Sequence, residues 1–278
     1  VWKTLYVLRY DGSPPTNPDR PAEPHCVAND DAWQNTCADP NFTWSGAKDY
    51  HSGLAGYYVY WGGNPGGVSN TYTPAPAHDP GPVSSGAPRY LRVRACDDLG
   101  NCAPWKTLFA FKYDGSPPTN PISVSLNCPG VVSGTWQNSC PDPNFTWGGA
   151  TDDVALAGYD VYWGTSPSGA GSTYVTSAAY DPPAVSSGST HYLRVRAHDH
   201  VGNTAAWKTL FAFKYDGSSP TNPISVSLNC PAVVSGTWQN TCSDPNFTWG
   251  GADDDVALAG YDVYWGTSPS GAGSTYVT

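Results

Sequence analysis

The apolar residues of this chain recur in short alternating runs, separated by clusters of Gly, Pro, Asn and Asp. In LRVRA, Leu193, Val195 and Ala197 fall on one side, and Arg194 and Arg196 on the other. A period of two marks a strand with one buried face and one wet face. The same reading predicts strands at NFTW (144–147), GYDVYWG (158–164), HYLRVRA (191–197) and WKTLFAFKY (207–215). Arg194 and Arg196, with Arg92 and Arg94 at equivalent places, form an exposed basic stripe. Such a stripe either pairs with Asp on a solvated face or pairs charges between subunits.

The pattern repeats. Phe111–Thr176 recurs as Phe213–Thr278, and only Pro117/Ser219, Gly130/Ala232, Ser139/Thr241, Pro141/Ser243 and Thr151/Asp253 differ. The shift is 102 residues, as in Tyr159 to Tyr261. A more diverged copy precedes these, with DGSPPTNP at 11–18 matching 114–121. A unit of about 100 residues can bury its own core and suits a β-sandwich of about seven strands. The expected organisation is all-β: residues 1–12 as the last strand of a preceding repeat, 13–115 and 116–217 as complete sandwiches, and 218–278 as an incomplete one. Short Pro-rich linkers of this kind are semi-rigid and should hold neighbouring domains at a preferred angle.

The ends fall in mid-repeat. WKTLYVLRYDG (2–12) matches WKTLFAFKYDG at 105–115 and 207–217, and Thr278 corresponds to Thr176. With no Met in the chain, the expectation is a processed protein or a window on a longer tandem array. The alternative is that residues 1–12 of one subunit complete the last domain of another by strand donation.

GYDVYWG, then YLRVRA-x-D-x-x-GN, then a final strand running into Pro-Thr-Asn-Pro, resembles the fibronectin type III-like and related immunoglobulin-like domains of secreted bacterial surface proteins. Tyr192 departs from that pattern, since it lies out of phase with the buried Leu193 and Val195. The resemblance implies spacers, stalks, adhesins or surface-polymer subunits.

Composition narrows the function classes. Thirty Gly and 27 Pro interrupt any long helix or coiled coil, and 12 Trp, 18 Tyr and 7 Phe supply the apolar surface that disordered chains lack. A net charge of −10 argues against a nucleic-acid partner, and no apolar run reaches the ~18 residues of a membrane-spanning helix. Glu23 is the single Glu, so nearly all the acid is Asp, a turn and cap former.

Eight cysteines fall in local pairs. Cys26/Cys37, Cys128/Cys140 and Cys230/Cys242 occupy matching places, while Cys96/Cys102 flank a turn in the first complete repeat and are replaced together by His198 and Thr204 in the second. Metal spacing such as C-x2-C is missing, so the reading is four disulfides and an extracellular, cell-surface location.

The acidic clusters Asp152, Asp153 and Asp253, Asp254, Asp255 are candidate calcium ligands, since calcium takes oxygen donors from loops. They are the single cofactor expectation. DDLGN and DHVGN read more simply as Asp/Asn-capped tight turns with Gly at positive φ. Asn41, Asn144 and Asn246 begin Asn-Phe-Thr sequons and are candidate glycosylation sites. The six histidines read as surface loop residues. No G-x-S-x-G nucleophile motif occurs, and a single Glu leaves little for paired-carboxylate glycoside chemistry, so the chain is read as non-enzymatic. Trp61, Trp163 and Trp265 are in phase with core positions, whereas Trp33, Trp136 and Trp238 lie inside the disulfide loops, over the bridge or against a neighbouring domain. The leading expectation is an extracellular structural protein, the repeat unit of a filament, fibre or stalk, self-associating into a homopolymer or continuing in a longer chain. The alternative is an adhesin or glycan-binding spacer array on a larger secreted protein.

Overall fold

A computed structural model describes residues 1–273 and 275–278. Among the described residues the regular structure is all strand. The first complete repeat holds β1 (Arg20–Ala22), β2 (Trp33–Gln34), β3 (Phe42–Ser45), β4 (Leu54–Gly62), β5 (Thr71–Thr73), β6 (Ala77–His78), β7 (Arg89–Asp97) and β8 (Lys106–Tyr113). The second holds β9 (Ser123–Leu126), β10 (Trp136–Gln137), β11 (Phe145–Gly148), β12 (Leu156–Gly164), β13 (Thr173–Val175), β14 (Ala179–Tyr180), β15 (Ser189–Asp199) and β16 (Lys208–Tyr215). β17 (Ser225–Leu228), β18 (Phe247–Gly250), β19 (Tyr261–Val263) and β20 (Thr275–Val277) follow.

Each complete repeat pairs a three-stranded sheet with a five-stranded one. The orders are β1-β3-β6 with β2-β8-β7-β4-β5, and β14-β11-β9 with β10-β16-β15-β12-β13. Neighbours are antiparallel except β2–β8 and β10–β16, where the disulfide loop supplies a two-residue parallel edge. The predicted strands at 144–147, 158–164, 191–197 and 207–215 all fall within this scheme.

The period-two pattern sorts as expected on the inner face. Leu193, Val195 and Ala197 are fully buried, as are Leu91, Val93 and Ala95. Phe145 from the small sheet meets Trp163 at 5.4 Å and Phe211 at 5.6 Å, and Phe42 meets Trp61 and Phe109 likewise. Each such buried side chain contributes about 1.5–3 kcal/mol. A bulge between Leu156 and Gly158 sets β12 against β15, and a Cβ at Gly158 would stand 2.5 Å from the Val175 carbonyl, so only glycine fits.

The outer face differs from expectation. The arginines do not form an exposed stripe, because loops and aromatic rings cover them. Arg92 donates to the Gly67 carbonyl and to Thr107 Oγ1, and Arg194 makes the same two bonds to Gly169 and Thr209. Arg94 lies between the Tyr58 and Trp105 rings, 4.7 and 5.3 Å from their centroids. Arg196 pairs with Asp160 at 2.8 Å.

Among the described residues, 218–278 contain no counterparts of β15 and β16. Phe247 still meets the Trp265 ring at 5.2 Å, but Phe247 is 37% and Trp265 76% exposed. Residues 1–10 form no strand and their apolar side chains are exposed.

Candidate functional site

The most organised polar region is the junction between consecutive repeats. Asp114 follows β8, and its amide donates to the Gln34 carbonyl at the end of β2. The Ser85 hydroxyl donates to Asp114 Oδ1 at 3.0 Å and accepts from the Gly115 amide at 3.0 Å. On the far side, Asn203 Nδ2 donates to the Asp114 carbonyl at 2.9 Å, and Asn35 Nδ2 of the first disulfide loop donates to Asn203 Oδ1. Ser116 Oγ donates to Asp153 Oδ2 at 2.9 Å.

The segment that follows is stitched into the next sandwich. Asn120 Oδ1 accepts from the Ala197 amide at 2.9 Å, and its Nδ2 donates to the Ala206 carbonyl at 2.5 Å. Lys208 Nζ donates to the Pro121 carbonyl at 2.8 Å. Asn17 and Lys106 make the same bonds in the preceding repeat. One amide side chain with a donor and an acceptor thus satisfies two backbone groups beside the β15 and β16 ends. The linker is therefore part of the following domain rather than a free connector. Sequence reasoning missed these asparagines; the triple recurrence of Thr-Asn-Pro at 16–18, 119–121 and 221–223 is the signal that could have found them.

Three carboxylate groups recur here. Asp11, Asp49 and Asp97 converge at the first junction, Asp114, Asp152 and Asp199 at the second, and Asp216, Asp254 and Asp255 at the third, with one oxygen of each within 4.8 Å of the others. The predicted pairs are thereby split. Asp152 enters the cluster, while Asp153 turns to Ser116 and Asp253 presents only its backbone to Thr221. Asp199 Oδ1 also accepts from the amides of Val201, Gly202 and Asn203, capping the turn with Gly202 at φ +96°. Burial, the largest influence, raises the Asp114 carboxyl above its ordinary value with help from the Asp152 and Asp153 charges, against the Ser85 and Ser116 donors. Asp11 goes the other way, held far below by the Ser52 hydroxyl and then by Ser13.

The remaining predicted residues are placed as follows. Bonds join Cys26–Cys37, Cys96–Cys102, Cys128–Cys140 and Cys230–Cys242. Asn41, Asn144 and Asn246 each immediately precede a strand of the small sheet. Trp136 sits at the sheet edge under the Lys214 ammonium, 5.6 Å from its centroid. Three histidines are not surface loop residues: His78 lies on β6 opposite Phe42, and on β15 His191 stacks on Trp163 at 5.1 Å and His198 Nε2 meets Asp160 at 2.7 Å.

No protein-family model matches the chain. It is 27% identical over 247 residues to exoglucanase B of Cellulomonas fimi, which covers 86% of this chain and 21% of that protein. It is 27% identical over 152 residues to chitinase A1 of Niallia circulans, covering 55% of this chain and 20% of that protein. The chain thus spans about a fifth of the length of the curated relatives it matches. Similar solved structures are the fibronectin(III)-like modules of Clostridium thermocellum CbhA (16% identity, 71% of this chain and 95% of that one, TM-score 0.29) and the FN1–FN3 domains of chicken CNTN1 (15%, 73% and 70%, TM-score 0.31). Each complete repeat is an all-β unit of a three-stranded and a five-stranded sheet. Four disulfides fit an extracellular protein.

Proposed function

We propose that this chain is a non-catalytic spacer array within a secreted glycan-degrading protein, where it holds other modules at a set distance. The observation that carries the reading is the pair of relatives, an exoglucanase and a chitinase, each matched over about a fifth of its length. The stitched junctions support it, because a spacer is useful when it resists bending. Trp44, Trp147, Phe42 and Phe145 are spent in the cores, while Trp136 and Trp238 of the disulfide loops stand exposed and are the rings that a polysaccharide assay tests.

Sedimentation and small-angle scattering on the 278-residue chain test this reading, together with sedimentation assays on insoluble cellulose and chitin. The expected result is an elongated monomer that neither binds nor cleaves these polymers. Regular fibres in electron microscopy would overturn it in favour of the filament subunit. Retention on either polysaccharide would overturn it in favour of a glycan-binding array.

A further inference from the structure

Two loops from consecutive repeats meet at a junction, and they meet in the same way twice. Gly86, in the turn before β7, lies against Asp153, in the loop before β12: a Cβ on Gly86 would stand 2.7 Å from Asp153 Oδ2. Gly188, just before β15, lies against Asp255 in the loop before β19, where the same Cβ would stand 3.0 Å from Oδ2. Both glycines hold positive φ, +90° and +74°, so the backbone opposes a side chain there as well. Serines complete the contact. Ser116 Oγ donates to Asp153 Oδ2 at 2.9 Å, and Ser218 Oγ donates to Asp255 Oδ1 at 2.6 Å. Ser85 and Ser187, one residue before each glycine, tie the linker to the earlier repeat. Their hydroxyls accept from the Gly115 and Gly217 amides and donate to Asp114 and Asp216. The Ser218 hydroxyl, and then that of Ser187, holds the Asp255 carboxyl below its ordinary value, so the contact favours the charged form.

The first complete repeat has no such aspartate. The Gly53 amide donates to Asp49 as the Ala155 amide donates to Asp152, which aligns the two loops. Between these points the first repeat carries Tyr50, His51 and Ser52, where the second carries Asp153 and Val154. The loop of the first repeat turns to its own linker instead. Ser52 gives its amide and hydroxyl to Asp11 Oδ2, and Ser13, the counterpart of Ser116, gives both of its donors to Asp11 Oδ1.

We propose that each Ser-Gly loop, with its linker serine, is a socket for the aspartate of the following repeat, and that this contact sets one constant rotation between successive repeats. The partner that fits the socket is a further copy of this repeat with Asp at the place of Asp153. A repeat of the first kind, with Tyr50, His51 and Ser52 there, offers the socket no carboxylate. Domains on a short linker swing against each other by default. A repeated contact removes that freedom at each step, and a fixed rotation per repeat makes a regular superhelix. Asp153 and Asp255 are the positioning residues, and Gly86 and Gly188 make room for them. The proposal deepens the spacer reading but can fail apart from it. Binding or cleavage of a polysaccharide would sink the spacer and leave the rotation untouched.

Residual dipolar couplings and amide relaxation on the 278-residue chain test it. The couplings give the rotation of the second complete repeat on the first, and of residues 218–278 on the second. The expected result is that the two rotations coincide and that the chain tumbles as one elongated body. Asp153→Ala should abolish the common alignment of the two complete repeats while residues 218–278 stay fixed on the second. Asp255→Ala should do the reverse. Gly86→Ala should act as Asp153→Ala does, because its Cβ displaces the carboxylate. In Asp153→Ala the amide shifts of β11, β12 and β15 should stay in place, which separates a freed junction from a lost fold. Different rotations at the two junctions, or complete repeats that still share one alignment in Asp153→Ala, would each overturn the proposal.

Discussion

The two complete repeats share a backbone and an inner face, yet they solve the same outer-face problem with different chemistry. At the end of β7, Cys96 and Cys102 face each other across the turn as an isolated bridge, and a disulfide joins them. At the end of β15, His198 and Thr204 face each other in the same way, without the covalent bond. The neighbouring strand changes in step: Tyr58 in the first repeat becomes Asp160 in the second. Tyr58 lends its ring to Arg94, whereas Asp160 binds Arg196 at 2.8 Å and His198 at 2.7 Å. A surface cluster is thus exchanged as a unit, while Leu91/Leu193 and Val93/Val195 stay the same. Inner positions are fixed by volume, since both faces of the cavity must be filled. Outer positions need only local consistency among the few groups that touch.

The comparison has testable limits. The largest effect should be the shared one. Leu91→Ala and Leu193→Ala should each cost about 2–5 kcal/mol in their own repeat, because both sites are fully buried in equivalent cores. Calorimetry that found one variant near neutral would break the equivalence of the inner faces. Next is the covalent difference. Replacing Cys96 and Cys102 together by Ser should cost the first repeat about 2 kcal/mol, the entropic value for so short a loop, and leave the melting of the second repeat unchanged.

The smallest effect is ionic and depends on pH. Burial opposes ionisation of Asp160 and is its largest single influence, but the hydrogen bonds and charges of His198 and Arg196 outweigh it and lower its pKa. A carboxylate depressed in the folded state gives stability that is complete above the unfolded value of about 3.9 and is lost as pH falls through the lower folded value. Acid titration of the second repeat should show that loss, and Asp160→Asn should remove it while costing about 1 kcal/mol at neutral pH. An unchanged acid slope in the variant would show that other carboxylates carry it. The first repeat, with Tyr58 at that place, lacks this pair, and its acid response comes instead from Asp11 and Asp97, whose carboxyls are also held low.

Much of this architecture was legible in the sequence for a physical reason. Strands with one wet face carry their period on the surface of the text, as Leu193, Val195 and Ala197 do. Cysteines that bond across a dozen residues or fewer are visible as local pairs. Turn caps are equally local: Asp199 reaches only to Asn203. What stayed hidden involves distant partners. Asn120 bonds residues 77 and 86 positions away, so its Thr-Asn-Pro setting reads as an ordinary linker. His198 finds Asp160 across two strands, 38 residues apart. The carboxylate cluster was half visible, because the Asp152-Asp153 pair stands out, whereas Asp114 reads as a linker residue and Asp199 as a turn cap.

The stitching of Asn120 and Lys208 also sets a path for mechanical load. A chain under tension leaves the first repeat along β8, through Asp114, and meets the second at Ala197, Ala206 and Lys208. Ala206 and Lys208 lie at the start of β16 and Ala197 near the end of β15, and the chain departs again from the other end of β16 at Tyr215. Force therefore crosses each sandwich along one strand of the five-stranded sheet, bonded along its length to β15. The linker is held as well by Thr119 to Thr151 and by the Ile122 amide to the Gly148 carbonyl of the small sheet, so the Asn120 side chain shares the load with several backbone bonds.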